Sequence, residues 1–331
     1  MNRNYKLLLE NLLARRYDEA LRESVVSDAF NEHDYSKVLL YALESMCEVE
    51  PSYAYKAFHI GKRIQEKLSK ELKNRKYNVD FRYQGPIQTE THIVLYGDIE
   101  LMVIAESVYS EPWKVVKNIT MEMMDILTQG SVYQRVDNSD KLKIRVQTLK
   151  PSCEINILPA VWLENKEYKE TKREIDRGVT EFNMLRKTRR RYLPFKHIAR
   201  INGKDAKTNG GLKRVIRLLR TLARDAETTI DLTPQEIESI MYAIPEKQLI
   251  YEAKKPLALL NIAFAQLSRL SQDLTYLQKL VSPSERELVF GRKAYKQAEI
   301  NRLKDNLNEL ISALSEELKE EDKNLYSEIR Y

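Results

Sequence analysis

Two cysteines, nine glycines, four histidines and no long apolar run are what this chain of 331 residues has in short supply. Cys47 and Cys153 stand far apart, each among apolar neighbours, so a disulfide framework and a cysteine zinc site are excluded on count, and a reducing compartment is expected. Scarce glycine leaves room for few tight turns. Together with a charged content of 31%, it favours a helix-rich chain. No stretch reaches the ~18 consecutive apolar residues that a bilayer requires. The early Leu7-Leu8-Leu9 run is interrupted by Glu10 and Asn11 before it can form a signal-peptide core. The expectation is a cytoplasmic protein with no membrane partner. His33, His59, His92 and His197 fall in no ligand spacing, and neither a Ser-His-Asp nor a Cys-His arrangement is suggested.

What is present is a 43% hydrophobic content, enough for a sizeable core, in a chain long enough for two lobes. Lys and Arg exceed Asp and Glu by 55 to 49, a net charge of +6 that permits nucleotide or nucleic-acid binding without demanding it.

Apolar residues at helical spacing predict helices over 5–21, 35–46 and 51–72, the third opened by Pro51. From Phe81 to about Trp162 the character changes to short apolar runs at 93–96, 99–105, 142–148 and 153–158, read as a sheet, with a helix crossing over 112–127. Further helices are expected over 212–222, from the Thr233-Pro234-Gln235-Glu236 cap to Pro245, over 256–280 and over 292–320. The implied organisation is 1–75 as N-terminal helices bracing both lobes, 76–175 as a sheet lobe and 176–331 as a helical lobe.

The chemistry-bearing stretch is Gly85-Pro86 through Thr91-His92, followed by Gly97-Asp98-Ile99-Glu100. Period-two alternation puts Asp98 and Glu100 on one face of a strand. Two carboxylates so spaced suit magnesium, which takes hard oxygen ligands from one or two acids plus substrate phosphates. His92 reads either as a polar cap or pocket residue or as a structural hydrogen-bonding group. The run Arg186, Lys187, Thr188, Arg189, Arg190 and Arg191 reads equally as a nucleic-acid patch or a solvated connector. Lys213, Arg217, Arg220 and Arg224 form one basic ridge on their helix.

Taken in order, the glycine turn, Thr91-His92-Ile93, Asp98-Ile99-Glu100-Leu101, Glu154-Ile155-Asn156-Ile157-Leu158-Pro159 and the basic helix from Leu212 resemble the oligoadenylate-synthetase-like nucleotidyltransferases. These include the bacterial synthases of cyclic oligonucleotides used in anti-phage defence. Lys196 to Asp205 fits the connector that such proteins carry before the basic helix, and the similarity spans roughly residues 80 to 250. The resemblance implies an α+β nucleotidyltransferase fold, with a mixed β-sheet lobe and a helical C-terminal lobe. It also implies Mg2+ or Mn2+ as cofactor and an NTP, ATP or GTP foremost, as ligand. Gly85, Pro86 and Thr91 would face nucleotide, and Lys213, Arg217 and Arg220 the triphosphate. For the last three a solvated helix face near Asp225 and Glu227 is the other reading.

The family's pattern is a Gly-Ser turn, an Asp-x-Asp pair and a third Asp three residues before Pro. Here Pro86 replaces the serine, which removes a hydroxyl and an N–H. Glu100 replaces the second acid and keeps its charge. Asn156 stands at the third-acid position, where a neutral amide cannot take a proton from an attacking hydroxyl. Glu154, two residues earlier on the same strand face, is the candidate substitute. The expectation is a pseudoenzyme-like member with catalysis weakened or lost, binding NTP or RNA, or a protein partner from the same operon. The alternative is an active magnesium-dependent nucleotidyltransferase that makes an oligonucleotide or modifies an RNA or protein. A third reading is a protein-interaction component whose basic run, Arg186 to Arg191, contacts RNA.

Overall fold

The computed structural model describes residues 3–17, 36–95, 97, 99–106, 111–129, 133–139, 142–149 and 152–328. Helices α1 (Tyr5–Arg16), α2 (Lys37–Met46) and α3 (Pro51–Asn74) lead to strands β1 (Val79–Gln84) and β2 (Ile99–Ala105) and helix α4 (Pro112–Thr128). Strands β3 (Arg135–Asp137), β4 (Ile144–Gln147) and β5 (Glu154–Leu163) follow, then α5 (Lys166–Thr171), β6 (Gly178–Asn183) and β7 (Thr188–Tyr192). The remainder is helical: α6 (Pro194–Lys207), α7 (Gly211–Arg224), α8 (Pro234–Tyr242), α9 (Glu246–Leu249), α10 (Ala258–Gln272), α11 (Leu274–Lys279) and α12 (Lys296–Glu328). No helix among the described residues is long and apolar enough to cross a membrane.

Two compact units are present. One comprises Met1–Glu48, Gly203–Ser282 and Leu288–Tyr331; the other comprises Val49–Asn202 and Pro283–Glu287. The divisions expected at 75 and 175 from composition thus stand at 48 and 202. The reason is packing: α2 lies against α1 and α7, whereas α3 lies against β1, β2 and α4.

In the second unit the sheet has seven strands in the order β1-β2-β5-β4-β3, with β6 on β5 and β7 on β6. β2 and β5 are parallel and the other pairs antiparallel, so the sheet is mixed. One edge of β5 is shared: its first half pairs β4 and its second half β6. The apolar run 101–105 of β2 is what a central strand covered on both faces requires. One face carries Ile99, Val103, Ile155, Ile157, Ile144 and Val146 and packs on Ile64, Leu68 and Leu72 of α3 and on Val116, Ile119, Met123 and Ile126 of α4. The opposite face carries a smaller cluster, Met102, Ile104, Leu158, Ala160, Trp162, Val179 and Tyr192, with Phe195.

Several expectations change. The run at 93–96 is no strand over its described part, 93–95. Ile93 and Leu95 are buried in a turning segment, Leu95 against Val49, and the place in the sheet is taken by β1. The expected connector 196–205 is helical, because Pro194 opens α6. The expected helix over 256–280 stops at Asp273, whose side chain caps α11 by accepting from the Tyr276 amide at 2.8 Å. Residues 283–287 interrupt the last two helices because they belong to the sheet unit: Arg286 pairs with Glu167, Glu285 with Arg200 and Glu287 with Arg190. The capping box at Thr233 and Glu236 forms as expected.

Candidate active site

Cross-strand partners share a face of a sheet, and register sets the site. Gln84 on β1 pairs with Glu100 on β2, Glu100 with Asn156 on β5, and Asn156 with Arg145 on β4. This row lies on the same face as Met102 and Leu158, away from α3 and α4, and at the beginnings of the two parallel strands. Asp98 lies outside the described residues. Glu100 is half-buried, Asn156 is buried and Glu154 is exposed. The Arg145 guanidinium at the end of the row lies 3.6 Å from Asp137.

The glycine turn covers Glu100. Gly85 has φ +78°, and a β-carbon there would stand 2.9 Å from Glu100 Cδ, so glycine is required both by conformation and by space. The Gly85 carbonyl accepts from the amides of Gln88 (3.0 Å) and Thr89 (3.3 Å), a single helical turn with Pro86 at its first position. There the missing N–H breaks no internal bond. Thr91 is corrected here. It is fully buried, its hydroxyl lies 2.9 Å from that of Thr89 and its amide donates to the Pro86 carbonyl, so it braces the turn from inside. His92, which follows it, is buried.

Among the described residues no group of three His, Cys, Asp or Glu side chains gathers to hold a metal. One observation nevertheless fits a cation: Asn156 Oδ1 is buried with no hydrogen-bond partner among the described residues, directly beside the Glu100 position. Buried carbonyl oxygens are seldom left unpaired, and this one is a hard donor next to a carboxylate. Glu100 and Asn156 are therefore the described residues that would hold a divalent ion, with substrate oxygens completing its shell.

The sequence reading missed the support behind Glu100. Gln84 Nε2 donates to Glu100 Oε2 at 3.0 Å, and the Tyr192 hydroxyl lies 3.0 Å from Gln84 Oε1 and 2.5 Å from Glu181 Oε1. Burial pushes the Glu181 carboxyl above its ordinary range, against the opposing pull of Arg190 and Tyr192, and burial raises Tyr192 well above that of a free phenol. The available signal was an acid two residues after Val179, on the same face of a short apolar stretch.

The basic run belongs to a hairpin at the end of the sheet. Arg186 and Lys187 lie in the turn of the β6–β7 hairpin, with Arg189, Arg190 and Arg191 on β7. Arg190 lies 4.1 Å over the Tyr192 ring and 3.5 Å from Glu287, yet it is exposed, as are the other residues of the run. On α7, in the other unit, the solvated-face reading fails: Lys213, Arg217 and Arg220 are only 8%, 4% and 7% exposed. Arg217 Nε donates to the Met46 carbonyl at 2.9 Å, and Lys213 Nζ lies 3.9 Å from Asp205. Burial, aided by nearby Arg16, lowers Arg217 to about 10.

Comparison with known proteins agrees with this geometry. Residues 199–315 match the cGAS/DncV-like nucleotidyltransferase C-terminal helical domain. Over 337 residues the chain is 27% identical to a cyclic dinucleotide synthase CdnE of Yersinia aleksiciae, covering 95% of this chain and 88% of the relative. The fold matches a STING-associated CdnE c-di-GMP synthase from Capnocytophaga granulosa with a TM-score of 0.79 at 27% identity, over 95% of this chain and 99% of that one. It also matches a Rhodothermus marinus CdnE c-UMP-AMP synthase solved with Apcpp and Upnpp, at a TM-score of 0.61 and 14% identity, over 82% and 95% of the two chains. At that identity the likeness is one of fold alone.

Proposed function

Because the chain belongs to the cGAS/DncV-like nucleotidyltransferase superfamily, we propose that it is a working, divalent-metal-dependent synthase that joins nucleoside triphosphates into a cyclic dinucleotide. The observation that carries this reading is the adjacency of Glu100 and Asn156 across β2 and β5, under the Gly85 turn. The expectation of a silent pocket gives way for two reasons. Relatives aligned over nearly the whole chain are named as synthases. In addition, one of the departures counted against catalysis is milder in place: Asn156 keeps an unpaired oxygen at the third-acid position.

The reaction joins two nucleotides by attack of a ribose hydroxyl on the α-phosphorus of a triphosphate. A P–O bond forms, the bond to pyrophosphate breaks, the hydroxyl proton passes to a base, and a second such step closes the ring. Magnesium or manganese, when bound, supplies charge neutralisation at the phosphates. Glu100 and Asn156 Oδ1 would hold it, and Asp98, two residues before Glu100 in the sequence, is the further acid assigned to it. Asn156 has no proton-accepting charge, so Glu154, exposed on the same strand face, is assigned as the group that receives the proton. Gly85 lets the turn sit against the carboxylate.

The test is incubation of the purified chain with labelled ATP, GTP, CTP and UTP and either metal, GTP first because several relatives are named c-di-GMP synthases. A phosphatase-resistant product that disappears in Asp98→Ala and Glu100→Ala is expected. Nucleotide binding without product under every combination would return the chain to a binding role.

A further inference from the structure

Behind Glu100 lies a line of side chains that the proposed chemistry does not itself use: Gln84, Tyr192 and Glu181, all buried, Glu181 to 4% exposure. Gln84 bridges Glu100 and Tyr192, and Tyr192 bridges Gln84 and Glu181. A phenol carries one proton. If Tyr192 gives it to Gln84 Oε1, the contact of 2.5 Å to Glu181 needs a second proton, and the only source within that contact is the Glu181 carboxyl. If Tyr192 gives it to an ionised Glu181 instead, Gln84 must turn its NH2 toward Tyr192. Its carbonyl then faces Glu100, a contact that holds only if Glu100 is protonated. Along this line, negative charge on Glu100 and negative charge on Glu181 exclude each other.

We propose that Glu181 is held as a neutral carboxylic acid donating to Tyr192, and that Glu181, Tyr192 and Gln84 are positioning residues that aim an N–H at the ionised Glu100. The proposal rests on the reading of Glu100 as a metal-binding carboxylate. Burial acts in the required direction on Glu181, Glu287 adds to it, and Arg190 and Tyr192 oppose it. Arg190 is engaged with the Tyr192 ring and with Glu287. A buried amide fixed in this way sets the rotation of the Glu100 carboxylate before any ligand arrives, as outer partners do for metal ligands generally.

Two measurements on the full chain test it. Infrared spectroscopy near neutral pH is expected to show a protonated-carboxyl stretch that Glu181→Gln removes and Tyr192→Phe alters. Its absence from the unsubstituted protein overturns the neutral acid. Affinity for Mn2+, measured by electron paramagnetic resonance with a non-hydrolysable GTP analogue present, is expected to weaken about 10-fold in Tyr192→Phe and Glu181→Leu. Glu181→Gln, whose amide still donates, restores it. Equal affinity in all the variants overturns the positioning role. A parent chain that keeps the infrared band but binds no Mn2+ overturns the metal assignment of Glu100, and with it the positioning role, while the neutral acid stands; the two failures are thereby told apart.

Discussion

The α-carbon of Gly85 faces the carboxylate of Glu100 so closely that a β-carbon would lie 2.9 Å from Cδ and 3.0 Å from Oε2. Gly85→Ala meets two penalties at once, a left-handed φ of +78° and that collision. The backbone penalty is about 1–2 kcal/mol. Displacement of Glu100 is expected to lower product formation by about 100-fold or more. Denaturant unfolding and a synthesis assay measure the two effects separately; loss of stability with full activity would show that Glu100 does not need its present place.

Asn156→Asp restores an acid beside Glu100. Two neighbouring carboxylates repel, so the metal-free variant is expected to melt below the parent protein. Added Mn2+ should more than restore the melting temperature, with metal affinity raised about 10-fold by the extra charge. Thermal melts with and without Mn2+ report both. If the metal gives no recovery, position 156 does not contribute a ligand.

Glu181 imposes a pH dependence of definite sign. Its folded-state value lies above the ordinary 4.5, so the folded chain keeps a proton that the unfolded chain loses. Stability from this group is complete below that ordinary value and declines as pH rises toward the folded value, at most about 1.4 kcal/mol per pH unit. Glu181→Gln has no such term. The difference between variant and parent should therefore widen in favour of the variant from about pH 4.5 upward, then level off. Parallel stability curves across that range would mean that Glu181 ionises alike in both states.

Gly211 opens α7 against backbone: a β-carbon there would stand 1.8 Å from the Leu249 carbonyl oxygen. Gly211→Ala is expected to cost about 2–4 kcal/mol in denaturant unfolding. The control is Gly203→Ala within α6, where the new methyl meets nothing within 4 Å. It should stabilise by about 0.5–1 kcal/mol.

Much of the frame was legible. Pro51 and Pro112 at first helical positions, the Thr233 and Glu236 box and the apolar runs of β2 and β5 are local signals, and each forms where it is expected. The β6–β7 hairpin was hidden because β7 is an arginine-rich strand exposed up to its final Tyr192 and so carries no apolar alternation. α6 was read as a connector through likeness to relatives, against its own opening proline. Thr91 looked like a ligand contact because a threonine after a glycine turn has the same local pattern whether it faces inward or outward.

By itself the sequence determined the residue types available for chemistry, their order along the chain and the periodicity of the central strands and long helices, since these depend on neighbours a few positions away. Tertiary structure alone decided that Asn156 stands beside Glu100, that Glu181 reaches Glu100 through Tyr192 and Gln84, and that the α7 cations are enclosed. Strand register and burial arise from contacts between distant segments, and a carboxylate's charge, like an amide's unmet hydrogen bond, is set by what those segments bring to it.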